Sequence, residues 1–280
     1  MNKPFNLLAG NPARFAGVTL AALALACAAS IQAQNQAARG KPINPKSTVI
    51  IDYEDGVQEK SDQRAKSSGA STASAPDHSA GHFELWGGKW ADSIADNGAV
   101  DPNLHFVVDL RGFPAGSDQA ILAAFAAWEV VTQGALIDGN SSFGPVAADP
   151  RWDGINSYSM RNLGKSTILA ATFMIWDDAD NNGAINNGET FLEVDVIHNS
   201  TVKWGTSSYK PSGTNWQDVQ NVATHEIGHV FGLAHPSGHP EDAEQTMYAS
   251  SAPRETKKRT LEANGDIPGI QSSFLGYGAP

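Results

Sequence analysis

Cysteine is almost absent from this chain: among 280 residues there is one, Cys27. A single thiol cannot pair within the chain, so a disulfide-stapled scaffold is excluded. Bases are also scarce, 19 against 30 acids, and the net charge of −11 disfavours a general nucleic-acid binder. With 27 Gly and 15 Pro the chain is too poor in both for a collagen-like fibre. Charged residues are too few, and the hydrophobic fraction of 41% too large, for a wholly disordered chain. What remains is a length that allows one or two domains with a sizeable core.

The first 33 residues hold no acid and only Lys3 and Arg14 as bases. An apolar stretch runs from Phe15 to Ala29 and leaves through Ser30-Ile31-Gln32-Ala33. A charged start, a short apolar run and a small-residue exit describe a secretory signal peptide, with cleavage near Ala33. No other apolar run approaches the length of a membrane helix, so the expected product is a secreted, extracellular chain whose mature form has no membrane span and no cysteine. Residues 34–82 are rich in Ala, Ser, Gln and Gly and read as a linker or short propeptide, partly disordered, with one possible strand at Ser47–Tyr53. Residues 83–280 read as the folded domain.

Within that domain Leu104–Leu110 is a predicted strand, and Ser117-Asp118 offers an N-cap for a helix. The spacing of Ala120, Ile121, Ala124, Phe125, Trp128 and Val131 gives that helix one apolar face, which makes Trp128 a packing residue. Thr167–Trp176 is almost wholly apolar and predicts a buried strand. Phe191–Ile197 alternates Leu192, Val194 and Val196 with Glu193 and Asp195, as a half-exposed strand would. Strands, a helix, more strands and late helices indicate an α+β domain with one mixed sheet.

The chemistry concentrates in Thr224-His225-Glu226-Ile227-Gly228-His229-Val230-Phe231-Gly232-Leu233-Ala234-His235-Pro236. Trp216–Ala223 before it reads as helix. On that helix His225 and His229 stand about 40° apart around the axis and one turn along it, so both imidazoles reach one ion. Gly232 can end the helix in a conformation closed to other residues and fold the chain back, bringing His235 to the same ion. Three neutral nitrogens with a fourth position left for water are the donor set of a catalytic zinc site. Glu226 lies beside His225 on a different bearing, placed to take a proton from water as general base and later to protonate a leaving amine. Histidines merely satisfied inside a helix would need no third histidine at this spacing.

H-E-I-G-H-V-F-G-L-A-H resembles the extended zinc signature of the metzincin metalloproteases. Gln245-Thr246-Met247-Tyr248-Ala249 is similar to that clan's methionine turn, in which Met247 would pack beneath the ligands without binding metal. The likeness is closest to the small secreted matrixin-like peptidases, whose landmarks resemble Phe83–Trp90, Ala127-Trp128, Glu193–Val196 and Asp266–Gln271. It implies a zincin-like fold: a mixed twisted sheet, an active-site helix and a C-terminal helix. It also implies a zinc metalloendopeptidase acting on protein or peptide substrates; the chain is expected to be a monomer. The chain differs from parts of the clan. Pro236 follows the third histidine, and Ala249 stands where some branches carry a zinc-proximal tyrosine, with Tyr248 one position earlier. No propeptide cysteine is available for latency. His78, His82, His105, His198 and His239 read as surface or packing residues.

A second pattern is Asp178-Ala179-Asp180-Asn181-Asn182-Gly183-Ala184-Ile185-Asn186-Asn187-Gly188-Glu189. It fits a calcium loop of the EF-hand type: side-chain oxygens from Asp178, Asp180 and Asn182, the Ala184 carbonyl, Asn186 through water, and Glu189 closing bidentately. Its flanks read as strands, so it would be a structural calcium loop joining two of them. An ion-free Asn/Asp/Gly hairpin is the plainer alternative. The substrate is expected to lie antiparallel to an exposed strand edge at Phe191–Ile197, with Tyr248–Pro253 walling the pocket after the scissile bond. The rival function is a secreted, calcium- and zinc-stabilised binding module without proteolytic activity. The intact Glu226 opposes it, since a structural zinc site has no use for that carboxylate.

Overall fold

The computed structural model describes residues 43–54, 82–93, 100–139, 141–186, 188–236, 240–272 and 275–277. The signal peptide expected at 1–33, most of the expected linker, and His78 and His239 lie outside the described residues.

Among the described residues, the strands before the first helix are, in chain order, β1 (Pro45–Glu54), β2 (Glu84–Leu85), β3 (Gly88–Lys89) and β4 (Phe106–Val108). Helix α1 (Ser117–Val131) precedes β5 (Ser142–Phe143), β6 (Asn156–Arg161), β7 (Ile168–Asp177), β8 (Glu189–Asn199), β9 (Trp204–Gly205) and β10 (Gln217–Asp218). Then come α2 (Val219–Val230), β11 (Leu233–Ala234), β12 (Ser250–Ser251) and the short α3 (Asp266–Ile270). The main sheet has the order β12-β1-β7-β8-β6-β4-β5, with β3 added beside β8. Neighbours from β8 through β6 and β4 to β5 are parallel, whereas β7 runs antiparallel to β8 and β1 antiparallel to β7. The sheet is therefore mixed, as the sequence predicts, and the strand expected at Ser47–Tyr53 forms a slightly longer member of it.

Helices α1 and α2 pack against each other and against the sheet. The predicted apolar face of α1 is buried, with Ile121, Ala124, Phe125 and Trp128 fully enclosed. Trp128 also donates its indole N–H to the Thr224 carbonyl of α2 at 2.8 Å, fixing the two helices in register. The N-cap of α1 is Gly116, at φ 81°, with Ser117 as the first helical residue and no side-chain cap. Helix α2 begins later than the sequence suggests: Gln217-Asp218 first pairs with β9, and the Asp218 carboxylate then accepts from the Asn221 amide as N-cap.

One reading changes in substance. The alternation in β8 does not mark a solvent-facing edge, because β8 lies inside the sheet between β7 and β6. Its acidic residues are covered: Glu193 accepts from the Asp153 and Gly154 amides, and Asp195 from the Arg151 amide and the Ser157 hydroxyl. A loop with spare backbone N–H groups has taken the place of water, so period-two polarity persists on a buried face. The strand that borders α2 is instead β7.

Candidate metal and catalytic site

Eleven of the twelve α2 residues are buried, including His225, Glu226 and His229. After Phe231 the chain turns through Gly232 at φ 100°, where an added Cβ would meet the Gly88 carbonyl at 3.1 Å. The turn delivers His235 back to the helix. The three Nε2 atoms then form a triangle with sides of 3.0 Å (His225–His229), 3.2 Å (His225–His235) and 3.0 Å (His229–His235). These contacts cannot be ordinary hydrogen bonds throughout. His225 Nδ1 faces the Thr246 carbonyl and His229 Nδ1 faces the Leu233 carbonyl at 2.8 Å. A carbonyl only accepts, so each Nδ1 carries the proton and each Nε2 of a neutral ring presents a lone pair. Lone pairs directed at one point are a metal-binding arrangement, and the sides approach the separation of about 3.3 Å for two nitrogens on one tetrahedral zinc. The residues present fit that ion.

Glu226 is fully buried, and its Oε2 accepts from the Thr172 hydroxyl of β7 at 2.5 Å. Thr172 was not foreseen; its one sequence signal is a hydroxyl inside the apolar run Ala170-Ala171-Thr172-Phe173. Beneath the histidines lies Met247, 2% exposed. An added Cβ on Gly228 would stand 2.2 Å from the Met247 sulfur and 2.8 Å from Trp128, so α2 can approach both only because that position is glycine. The turn bearing Met247 is pinned by Asp266 of α3, whose carboxylate accepts from the Thr246 amide at 2.7 Å and the Met247 amide at 3.0 Å. Burial raises the Asp266 carboxyl above the usual range, while these amides pull it back. Asp266 as a support of the site was likewise missed.

Past Met247, residues Tyr248, Ala249, Ser250 and Ser251 line a pocket with His225, Val222 and Leu169. Lys258 closes it, 2% exposed, donating to the Tyr248 and Ser250 carbonyls. Tyr248 has its ring 5.2 Å from that ammonium. Nothing in the sequence marks Lys258 as interior. Of the other histidines, His198 is buried against Tyr158 and Trp204, while His82 faces Asp242 at 2.9 Å and His105 stands 3.6 Å from Asp138.

The second pattern folds as a loop between β7 and β8. Carboxylate oxygens of Asp178, Asp180 and Glu189 all lie within 4.8 Å of one another. Loop amides hold them there: Asn182 and Gly183 donate to Asp178, and Ala179 and Asn186 donate to Glu189. Gly183 sits at φ 77°, supplying the sharp turn. The Asn182 side chain accepts from the Ala184 amide, and Asn186 donates to Asp180 at 3.0 Å and to the Ala184 carbonyl at 3.3 Å. Burial raises the Glu189 carboxyl, and the charges of Asp180 and Asp178 raise it further. Three carboxylates crowded this way suit a hard dication with oxygen ligands.

The family model described as Matrixin matches residues 114–275, more than half of the chain. A stretch of 57 residues is 46% identical to a protein named Metalloendoproteinase 1 from Glycine max, covering 20% of this chain and 17% of that relative. The likeness thus spans well under two thirds of the relative's length. No described helix is long and apolar enough to cross a membrane.

Proposed function

The chain belongs to the matrixin family of peptidases, and from that premise we propose that it is a secreted zinc-dependent endopeptidase. The observation that carries the reading is the triangle of Nε2 atoms of His225, His229 and His235, with the buried carboxylate of Glu226 on the helix that bears the first two. Zinc held by these rings would supply Lewis acidity, acidifying water and stabilising charge on the carbonyl oxygen. The protein's own part is positional. Thr172 holds one oxygen of Glu226, which fixes the plane of the carboxylate beside the histidines. As general base Glu226 takes a proton from the attacking water while the water oxygen bonds to the scissile carbon. As the C–N bond breaks, the same group returns the proton to the leaving amine.

A substrate would enter as an extended strand between β7 and β12, antiparallel to β7, with one side chain reaching the pocket closed by Lys258. The loop at Asp178, Asp180, Asn182, Ala184, Asn186 and Glu189 would hold calcium in a structural role, fastening the hairpin that carries Thr172. Residues 1–33 would direct export, 34–82 would serve as linker or propeptide, and 83–280 would form the catalytic unit, working as a monomer on protein or peptide substrates.

The test is casein or gelatin cleavage by the secreted chain with and without a zinc chelator, beside Glu226→Ala checked for zinc content. Activity lost in both arms supports the reading. A zinc-loaded wild-type chain that cuts neither protein nor any peptide of a random library would overturn it. N-terminal sequencing of the secreted product should begin near Gln34, and a product retaining Met1 would refute cleavage at Ala33.

A further inference from the structure

The pocket beside His225 is walled largely by carbon and holds one permanent charge. Leu169 of β7, Val222 of α2 and Ala249 supply apolar walls, and Lys258 is the charged side chain among the lining residues. Tyr248, Ala249 and Ser250 are half-buried and stand on the open side, whereas Lys258, 2% exposed, lies at the closed end. Its place relative to the histidines is fixed. The Lys258 amide donates to the Asn221 side chain at 2.9 Å, and Asn221 sits one turn before His225 on the same face of α2. The ammonium donates to the Tyr248 carbonyl at 3.4 Å and to the Ser250 carbonyl, and stands 5.2 Å from the centre of the Tyr248 ring. These uncharged partners orient the ammonium without cancelling its charge. Glu255 Oε2 is 4.0 Å away, beyond hydrogen-bond distance, and accepts from the Ser251 hydroxyl at 3.1 Å and the Ala252 amide at 3.0 Å. Asn221 donates to that same hydroxyl at 3.0 Å, so these two polar side chains of the wall are engaged with each other.

We propose that Lys258 determines the side-chain preference of the site: the pocket takes an acidic residue, glutamate foremost, directly after the scissile bond. The inference rests on the endopeptidase reading. An apolar wall with an ammonium at its end matches a side chain with an apolar stem and an anionic tip. In a site closed to water a carboxylate meeting that ammonium forms a charge-assisted hydrogen bond, stronger than a neutral one. A leucine of similar length would cover the ammonium and strip its water without supplying a charge in return. A lysine or arginine would bring a second positive charge against the first. Glutamate reaches the closed end more fully than aspartate, which is one methylene shorter, so the substrates are peptides cut on the N-terminal side of glutamate.

The test uses the secreted, zinc-loaded chain and a set of fluorogenic peptides identical except for the residue after the scissile bond: Glu, Gln, Asp, Leu or Lys. Glutamine matches glutamate in size and lacks only the charge. That comparison is made on the wild type, so it stands whether or not a variant folds. Lys258→Met removes the ammonium, and Lys258→Gln keeps a donor for the Ser250 carbonyl should the Met chain fail to fold. Both are checked for zinc content and melting temperature. The wild type should turn over the Glu peptide with a kcat/KM about 10–10²-fold above the Gln peptide, the range expected of one hydrogen bond to a charged group. Leu and Lys peptides should be poorer still, and new N-termini in digested casein should be enriched in glutamate. In the variants the ratio of Glu to Gln should fall to near unity, with turnover of the Gln peptide little changed. Loss of all turnover in step with lost zinc would mark a variant as unfolded, and the wild-type ratio then decides. A wild type that cuts the Gln or Leu peptide as fast as the Glu peptide overturns the acidic preference and leaves the peptidase reading standing. So does a folded, zinc-bound variant that keeps the wild-type ratio. A wild type that cuts no peptide of the set and no casein overturns the peptidase reading, and the preference with it.

Discussion

At the residue scale the site depends on a few contacts whose removal should have separable effects. Glu226→Gln keeps the size of the side chain and removes the base, so kcat should fall by about 10²–10⁴-fold with zinc retained. Thr172→Val leaves the carboxylate in place but frees its Oε2. The expected result is a smaller loss of kcat, an unchanged KM, and a shifted acidic limb of the pH–rate profile, which a purely structural role would not move. Gly228→Ala places a methyl against the Met247 sulfur and Trp128. Overpacking of this kind costs about 1–3 kcal/mol, readable as a lower urea midpoint, and should also lower zinc affinity. Gly228 is legible in the sequence only as one spacer of the zinc signature. Its packing reason requires knowing that Trp128 and Met247, far apart in the chain, meet on one face of α2.

At the element scale the most informative strand is β8. Its acidic positions look solvent-facing because a single sequence shows polarity and not what covers it. Glu193 is fully buried, and burial raises its carboxyl to about 8, offset in part by the Asp153 and Gly154 amides. A carboxyl whose folded value exceeds its unfolded value binds more protons in the folded state. Its contribution is therefore fully present below about pH 4.5 and is lost as pH rises through about 8. Thermal melts should show Glu193→Gln flattening the decline in stability between those limits; an unchanged slope would assign the decline elsewhere. The loop between β7 and β8 belongs to this scale too. Calcium chelation should lower the melting temperature and speed exchange in β7 more than in β6, and Asp178→Asn should reproduce part of that loss. The order of the loop's oxygen-bearing side chains could be read directly from residue types, because all of them are local in the chain. The place of β7 beside α2 could not, because strand order depends on pairing between distant segments.

At the scale of the whole molecule, the sequence carries the fold class and the histidine motif, since both are written in local periodicity and in a short run of residues. The supports of the site are not written there. Thr172 comes from β7, Asp266 from α3 and Lys258 from the segment after β12, and each is identified only once the chain has closed on itself. Asp218 is a further example: it caps α2 and also accepts from Arg259, tying the start of the histidine-bearing helix to the segment beyond the methionine turn. Arg259→Met should therefore destabilise both elements together, and a single cooperative transition at a lower denaturant midpoint would show it. Two transitions would mean that the helix and the turn unfold independently.

The carbonyls of Thr246 and Leu233 have a consequence for metal exchange. They orient the His225 and His229 rings through the protein's own hydrogen bonds, so two of the three donors owe their aim to the polypeptide and not to the ion. Stripping the metal then leaves a shaped socket and not a melted segment. Loading becomes a matter of filling a preformed receptacle: it should proceed without refolding, accept a spectroscopic substitute such as cobalt, and be undone and repeated on the same sample.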